Sequence, residues 1–272
     1  MRPRFSLGDV QRLVVDIDGT LLRGSLPLPG LSRFFGFLEL RHVPFVVASN
    51  NATKSAAGYQ ERLASLGAPV KSEQILTAGA ATARYLAGQL RQGASLYAIG
   101  EPALEAVLRQ AGFVLLDDAG KPADAVVVGG DSTLTYEKLK YAALLLQRGA
   151  RFVGTNPDLL CPTEEGMVPE AGATLAALES ATGISPVVIG KPARYLFDAA
   201  VEMMGGERAS IAVLGDRLET DILGGQRAGL KTVLVTSGID DEHAIVQKGI
   251  EPDLVVSGLD MLVELWEREL EA

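Results

Sequence analysis

Cysteine is almost absent from this chain, with Cys161 the only one among 272 residues. No intramolecular disulfide can form, and with His42 and His243 the only histidines, a Cys/His zinc cage is excluded. Any metal here must be held by oxygen. Long apolar runs are missing too, and none approaches the ~20 residues that span a bilayer. The first apolar stretch, Leu13-Val14-Val15, is cut by Asp16 and falls well short of the ~7–15 residues of a secretory signal core. The cytoplasm is therefore the expected compartment, with no membrane partner. Positive charge is scarce: 25 Lys and Arg against 34 Asp and Glu give a net charge of −9. With no basic run to interrupt it, that surface repels a nucleic-acid partner. A small anionic substrate stays open wherever local cations or a metal reverse the field.

What the chain does have is an ordinary globular composition, 47% apolar and 22% charged, which excludes long disorder. Its length corresponds to about two domains at ~150 residues each. Short β-branched runs recur at Leu13–Ile17, Phe45–Ser49, Leu96–Gly100, Ala125–Gly129, Arg151–Gly154, Val187–Ile189, Ile211–Leu214, Thr232–Val235 and Leu254–Val256. Between them lie helical patterns at Lys54–Leu66, Ala80–Arg91, Tyr136–Gln147 and Glu219–Ala228, each with a glycine beyond it as a stop signal. The alternation predicts an α/β fold with a mostly parallel sheet. No fixed repeat, low-complexity tract or Pro/Ser linker marks a domain boundary.

Polar groups collect where these strands end. Asp16-Ile17-Asp18-Gly19-Thr20 puts two carboxylates at the end of the first strand, the edge at which open α/β sheets bind ligands. Asp, Gly and Thr are also ordinary turn residues, but Asp16 lies inside an apolar strand, where a carboxylate is costly without a partner. Ser49-Asn50-Asn51 ends the second strand, with Thr53 the expected N-cap of the next helix. That reads as a capped turn or as a hydroxyl and amides that receive phosphate oxygens. Lys191, in Gly190-Lys191-Pro192, reads alone as a solvated lysine. Asp216 and Asp221 follow the strand Ile211–Leu214, and helix capping accounts for one of them more readily than for both. The turn-and-cap readings fail together, because all these groups would converge on one sheet edge.

In this order, Asp-x-Asp-Gly-Thr, Ser-Asn, Lys-Pro and Gly-Asp-x-x-x-x-Asp resemble the four motifs of the haloacid-dehalogenase-like phosphatases. Ser49-Asn50-Asn51-Ala52-Thr53, Thr155-Asn156-Pro157-Asp158, the stretch Pro169 to Gly183, and Gly190-Lys191-Pro192 are similar to the class IIA subfamily. That group includes NagD-like, 4-nitrophenyl phosphatase, phosphoglycolate phosphatase and pyridoxal phosphate phosphatase proteins. The resemblance implies a Rossmann-like parallel-sheet core, residues 1–78 and 187–272, with an inserted α/β cap domain at residues 79–186.

It also implies roles. Asp16 is the expected nucleophile, forming an aspartyl-phosphate, and Asp18 the expected acid and base. Magnesium is the expected cofactor, held by the Asp16 carboxylate, the Asp18 carbonyl and the Asp216 carboxylate, with Asp221 orienting a metal-bound water or Lys191. Ser49, Asn50 and Asn51 would hold phosphoryl oxygens, and Lys191 would balance charge. In the cap, the loop Asn156–Pro162 would face the substrate, bringing Asn156 and Cys161 into play. Some relatives acting on pyridoxal phosphate have histidine where this chain has Cys161, which argues against that substrate, and Cys161 reads equally as a small buried apolar residue. The expected partner is a small phosphorylated metabolite; oligomeric state stays open, a homodimer included. A dehalogenase would need neither Asp18 nor Asp216, a phosphomutase would share the site, and a non-catalytic phosphometabolite binder would not require every motif carboxylate.

Overall fold

The computed structural model describes residues 5–163 and 165–271. They form two compact units, one comprising residues up to Ser49, Ala56–Leu76 and Lys191 onward, the other Asn50–Ser55 and Thr77–Gly190. In chain order the first unit supplies β1 (Arg12–Asp16), the hairpin strands β2 (Leu22–Arg23) and β3 (Leu26–Pro27), α1 (Leu31–Leu40), β4 (Phe45–Ser49), α2 (Ala56–Ser65) and β5 (Ile75–Thr77). The second follows with α3 (Ala78–Ala87), β6 (Ser95–Ile99), α4 (Pro102–Gln110), β7 (Val114–Leu115), β8 (Ala125–Val128), α5 (Tyr136–Gln147) and β9 (Arg151–Gly154). It continues through β10 (Leu160–Thr163), β11 (Gly166–Pro169), α6 (Ala171–Thr182) and β12 (Val187–Val188). The chain then returns to the first unit in α7 (Arg194–Met204), β13 (Ile211–Gly215), α8 (Leu223–Arg227), β14 (Lys231–Val235), α9 (Glu242–Lys248), β15 (Leu254–Val256) and α10 (Leu259–Glu271).

The sheet of the first unit runs β15-β14-β13-β1-β4-β5. β1 pairs in parallel with β13 and with β4, and β14 pairs in parallel with β13 and β15. Buried on both faces, these strands read as continuous apolar runs rather than alternating ones. Register sets Val15 beside both Leu214 and Val47, so Asp16, Ser49 and Asp216 emerge at the same carboxyl edge. The order also reverses beside β1, since the chain moves first to β4 and β5 and later to β13 and β14. A ligand crevice in an open α/β sheet opens at such a reversal. On one face α10 buries Leu259, Leu262, Val263 and Trp266, spaced i, i+3, i+4 and i+7, and Trp266 packs against Phe37 of α1 with ring centroids 5.2 Å apart.

The second unit has its own parallel sheet, β12-β9-β8-β6-β7, and an antiparallel hairpin of β10 and β11 in which Cys161 lies opposite Val168. Its core gathers Ile99, Val126, Val128, Leu145, Phe152 and Leu178. The α/β class with a parallel-sheet core is thus the one expected from the sequence.

Local differences have local causes. The helix expected over 80–91 is α3, which begins at Ala78 because Thr77 caps it by accepting the Ala80 N–H at 3.2 Å, and it ends at Gly88 rather than running on to Gly93. The helix expected over 219–228 opens as a π-helical turn at Leu218–Ile222 before α8. Thr53 caps no helix: its N–H and hydroxyl both donate to Asn51 Oδ1 at 2.7 Å, and α2 starts three residues later. Among the described residues, no helix is long and apolar enough to cross a membrane.

Candidate active site

The chain leaves β1 in a tight turn, with Leu21 and Leu22 N–H groups donating to the Ile17 carbonyl at 2.9 Å and Gly19 N–H to that of Leu22 at 2.7 Å. Gly19 adopts φ +96°, and a Cβ there would lie 2.0 Å from Asp216 Oδ2. Only glycine meets both demands. From the other side Gly238, in the turn after β14, comes as close: its Cβ would lie 2.1 Å from the same oxygen.

Asp16, Asp216 and Asp221 each bring a carboxylate oxygen within 4.8 Å of the others. Asp216 is fully buried; its Oδ2 accepts the Ile239 N–H at 2.8 Å, while its Oδ1 has no partner within the protein. Asp221 is differently engaged. Its Oδ1 accepts from the Lys191 ammonium at 2.8 Å, and its Oδ2 from the Arg217 N–H at 3.1 Å and the Thr220 hydroxyl at 3.3 Å. Lys191 also donates to Asp16 Oδ1. Burial alone would disfavour its charge, but Asp16 and then Asp221 more than offset that and hold it protonated.

Burial pushes the Asp16 carboxyl well above the usual carboxylate range; Lys191 opposes this, and the charges of Asp221 and Asp216 add to it. Burial, then the Asp221 charge, push Asp216 up to about 7. Three carboxylates and one ammonium leave a formal charge of −2. An all-oxygen donor set with that charge and an unmatched buried acceptor at Asp216 fits a hard divalent cation. The Asp18 side chain is exposed and lies outside this cluster.

Ser49, at the end of β4, is buried, and its hydroxyl shares a 3.3 Å hydrogen bond with the hydroxyl of Tyr59 on α2. Burial, then the Asp18 charge, push the Tyr59 phenol above its ordinary value, so it stays a neutral partner at working pH. The sequence reading missed Tyr59; its signal was a phenol on the apolar face of a helix, where a buried hydroxyl must find a partner.

Asn50 and Asn51 group with the second unit. Asn50 donates its side-chain amide to Asp158 Oδ2 at 3.0 Å, while its carbonyl accepts from Asn156 Nδ2 at 3.0 Å. Asn156 Oδ1 in turn accepts the Asp158 N–H at 3.0 Å. The Asn156 amide, 1% exposed, is therefore engaged at both ends in fixing its loop. Cys161 lies half-buried on β10.

Comparison with known proteins agrees with this geometry. The sequence profile of the haloacid dehalogenase-like hydrolases matches residues 13–114, and a HAD-hydrolase-like profile matches residues 188–262. An acid sugar phosphatase of Staphylococcus aureus (strain USA300) is 35% identical over 239 residues, covering 88% of this chain and 91% of that protein. Among solved structures, a p-nitrophenyl phosphatase from Archaeoglobus fulgidus superposes with a TM-score of 0.89 at 33% identity, over 94% of this chain and 99% of its own. A glycerol phosphate phosphatase from Mycobacterium tuberculosis, solved in complex with calcium, gives 0.86 at 34% identity, over 95% of this chain and 76% of its own. The chain belongs to the haloacid dehalogenase-like hydrolases, in the class IIA branch of phosphatases.

Proposed function

We propose that this phosphomonoester hydrolase works on small phosphorylated metabolites through an aspartyl-phosphate on Asp16, with magnesium as its cation. The observation that carries this reading is the meeting of Asp16, Lys191, Asp216 and Asp221 at the carboxyl edge of β1 and β13.

The Asp16 carboxylate attacks phosphorus, and the bond to the leaving oxygen breaks as Asp18 delivers its proton to that oxygen. Asp18, now a carboxylate, takes a proton from water as the water oxygen attacks phosphorus, which frees Asp16 and inorganic phosphate. Lys191 balances the charge that Asp16 and the phosphoryl group share, and the Ser49 hydroxyl with the peptide N–H groups of Asn50 and Asn51 receives the phosphoryl oxygens. The Asp16 carboxylate, the Asp18 carbonyl and the Asp216 carboxylate would hold the cation, with Asp221 steering Lys191. When bound, the cation supplies charge neutralisation between an anionic substrate and these acids.

The inserted segment, read from the sequence as residues 79–186, is assigned the role of a cap that sets substrate choice. Support comes from its own sheet and hydrophobic core, and from relatives whose names span sugar phosphate, glycerol phosphate and 4-nitrophenyl phosphate. The test is release of inorganic phosphate from 4-nitrophenyl phosphate with magnesium and with a chelator, followed by a panel of sugar, glycerol and nucleotide phosphates. Asp16→Asn loses turnover while keeping its fold; retention of more than a few per cent of kcat would overturn the covalent mechanism.

A further inference from the structure

We propose that Asp240 is a positioning residue for Asp216. The inference rests on reading Asp216 as a metal ligand and extends it to the turn that aims that carboxylate.

The turn after β14, residues 236–241, folds over Asp216 and holds it by main-chain groups alone. Ile239 N–H donates to Asp216 Oδ2 at 2.8 Å and Asp240 N–H to the Asp216 carbonyl at 3.1 Å. With Oδ2 tied down in this way, the other oxygen, Oδ1, is the one left unpartnered in a buried site. Which oxygen is available therefore depends on where the turn lies.

A turn built on Gly238 has little stiffness of its own. The Asp240 carboxylate, 5% exposed, supplies it from two directions. Its Oδ2 accepts the buried Leu218 N–H at 2.7 Å, tying the turn to the segment that follows Asp216 and leads to Asp221. Its Oδ1 accepts from the Lys248 ammonium at 2.9 Å, tying the turn to the last residue of α9, and Lys248 also reaches Glu219 Oε2 at 2.8 Å. One carboxylate thus ties the turn to the segment that carries Asp216 and Asp221 and, through Lys248, to α9, without touching the reacting groups. Asp241 beside it has a separate task, capping α9 by accepting the Ala244 N–H at 3.0 Å.

The test is calorimetric titration of Mg2+ into the full chain and into three variants, with thermal denaturation of each in chelator. Asp240→Ala should weaken Mg2+ binding by about tenfold or more, the lower range for losing a group that orients a metal ligand. Asp240→Asn, which keeps an acceptor for Leu218 but sets an amide against Lys248, should weaken it by about threefold. Asp241→Ala loses a helix cap and should lower the denaturation temperature with no change in Mg2+ affinity. A purely structural role would make Asp240→Ala and Asp241→Ala alike in affinity, and that result overturns the proposal. Should Asp240→Ala fail to fold, an unchanged affinity in Asp240→Asn overturns it. Absence of Mg2+ binding by the unsubstituted chain overturns the metal reading and this proposal with it, whereas equal binding by all four chains removes only the role of Asp240.

Discussion

The Lys191 ammonium donates to Asp221 Oδ1 at 2.8 Å with both side chains almost fully buried, 3% and 2% exposed. Because Lys191 also grips Asp16, it is the one cation inside the described carboxylate cluster. Lys191→Met should lower kcat by roughly 100- to 1,000-fold for every substrate alike. It should also cost stability on the order of 3–5 kcal/mol, since two buried acids lose their counter-charge. Phosphate-release kinetics across a substrate panel and denaturation in chelator check both; a loss confined to one substrate would place Lys191 in recognition instead.

Asp216 and Asp221 should separate in a magnesium titration. One oxygen of Asp216 has no protein partner, whereas both oxygens of Asp221 accept hydrogen bonds. Asp216→Ala should therefore raise the magnesium requirement by about tenfold more than Asp221→Ala. Equal damage in the two variants would reverse the assignment.

The two raised carboxyl groups make metal-free stability depend on pH with a defined sign. Asp16 is held well above the usual range and Asp216 at about 7. A carboxyl whose pKa rises on folding binds its proton more tightly in the native state. Its contribution to stability is thus largest below about pH 4 and falls as pH climbs through the folded value. In chelator, Asp216→Asn should be more stable than the unsubstituted chain at about pH 8, and the difference should vanish near pH 4. Added Mg2+, which competes with those protons, should raise the denaturation temperature of the unsubstituted chain more at pH 8 than at pH 5. An Mg2+ effect as large in acid as in base would contradict the ionisation order.

Tyr59→Phe removes one hydroxyl and little volume. The 3.3 Å hydrogen bond between Ser49 and that hydroxyl is lost, and kcat/KM should fall by about fivefold, the equivalent of ~1 kcal/mol for one hydrogen bond. The denaturation temperature should move little, which separates positioning of Ser49 from support of α2. No change in kcat/KM would assign Tyr59 to packing.

What the sequence makes legible follows from burial. β4, β9 and β15 are predicted to the residue because each is a short, mostly apolar and β-branched run bounded by turn residues. Asp16, Lys191 and Asp216 stand out for the same reason, each being a charge at the end of an apolar run. Tyr59 and Asp240 do not, because their roles arise from contacts the chain makes only after folding: a phenol reaching a strand end, and a turn doubling back over Asp216. Of the adjacent acids Asp240 and Asp241, the second caps α9 while the first reaches Leu218 across the turn. Thr53 misleads in the opposite direction, since a local Asn51 turn competes for its hydroxyl before a helix can use it. Short pieces such as β2 and β3, two residues each, carry too little pattern to be read.

The pair of glycines pressed against Asp216 makes this site unequal in what it can survive. It can lose a charge and keep its shape, as an Asp216→Asn chain would, but it cannot gain a single methyl group on either flank without pushing the carboxylate aside. Gly19→Ala and Gly238→Ala should therefore behave as inactivating changes that touch no reacting atom. Random substitution would reach loss of activity here through added bulk as readily as through lost acidity. A route to new chemistry on this scaffold is correspondingly narrow at the end of β1, where even the smallest side chain meets the carboxylate head-on.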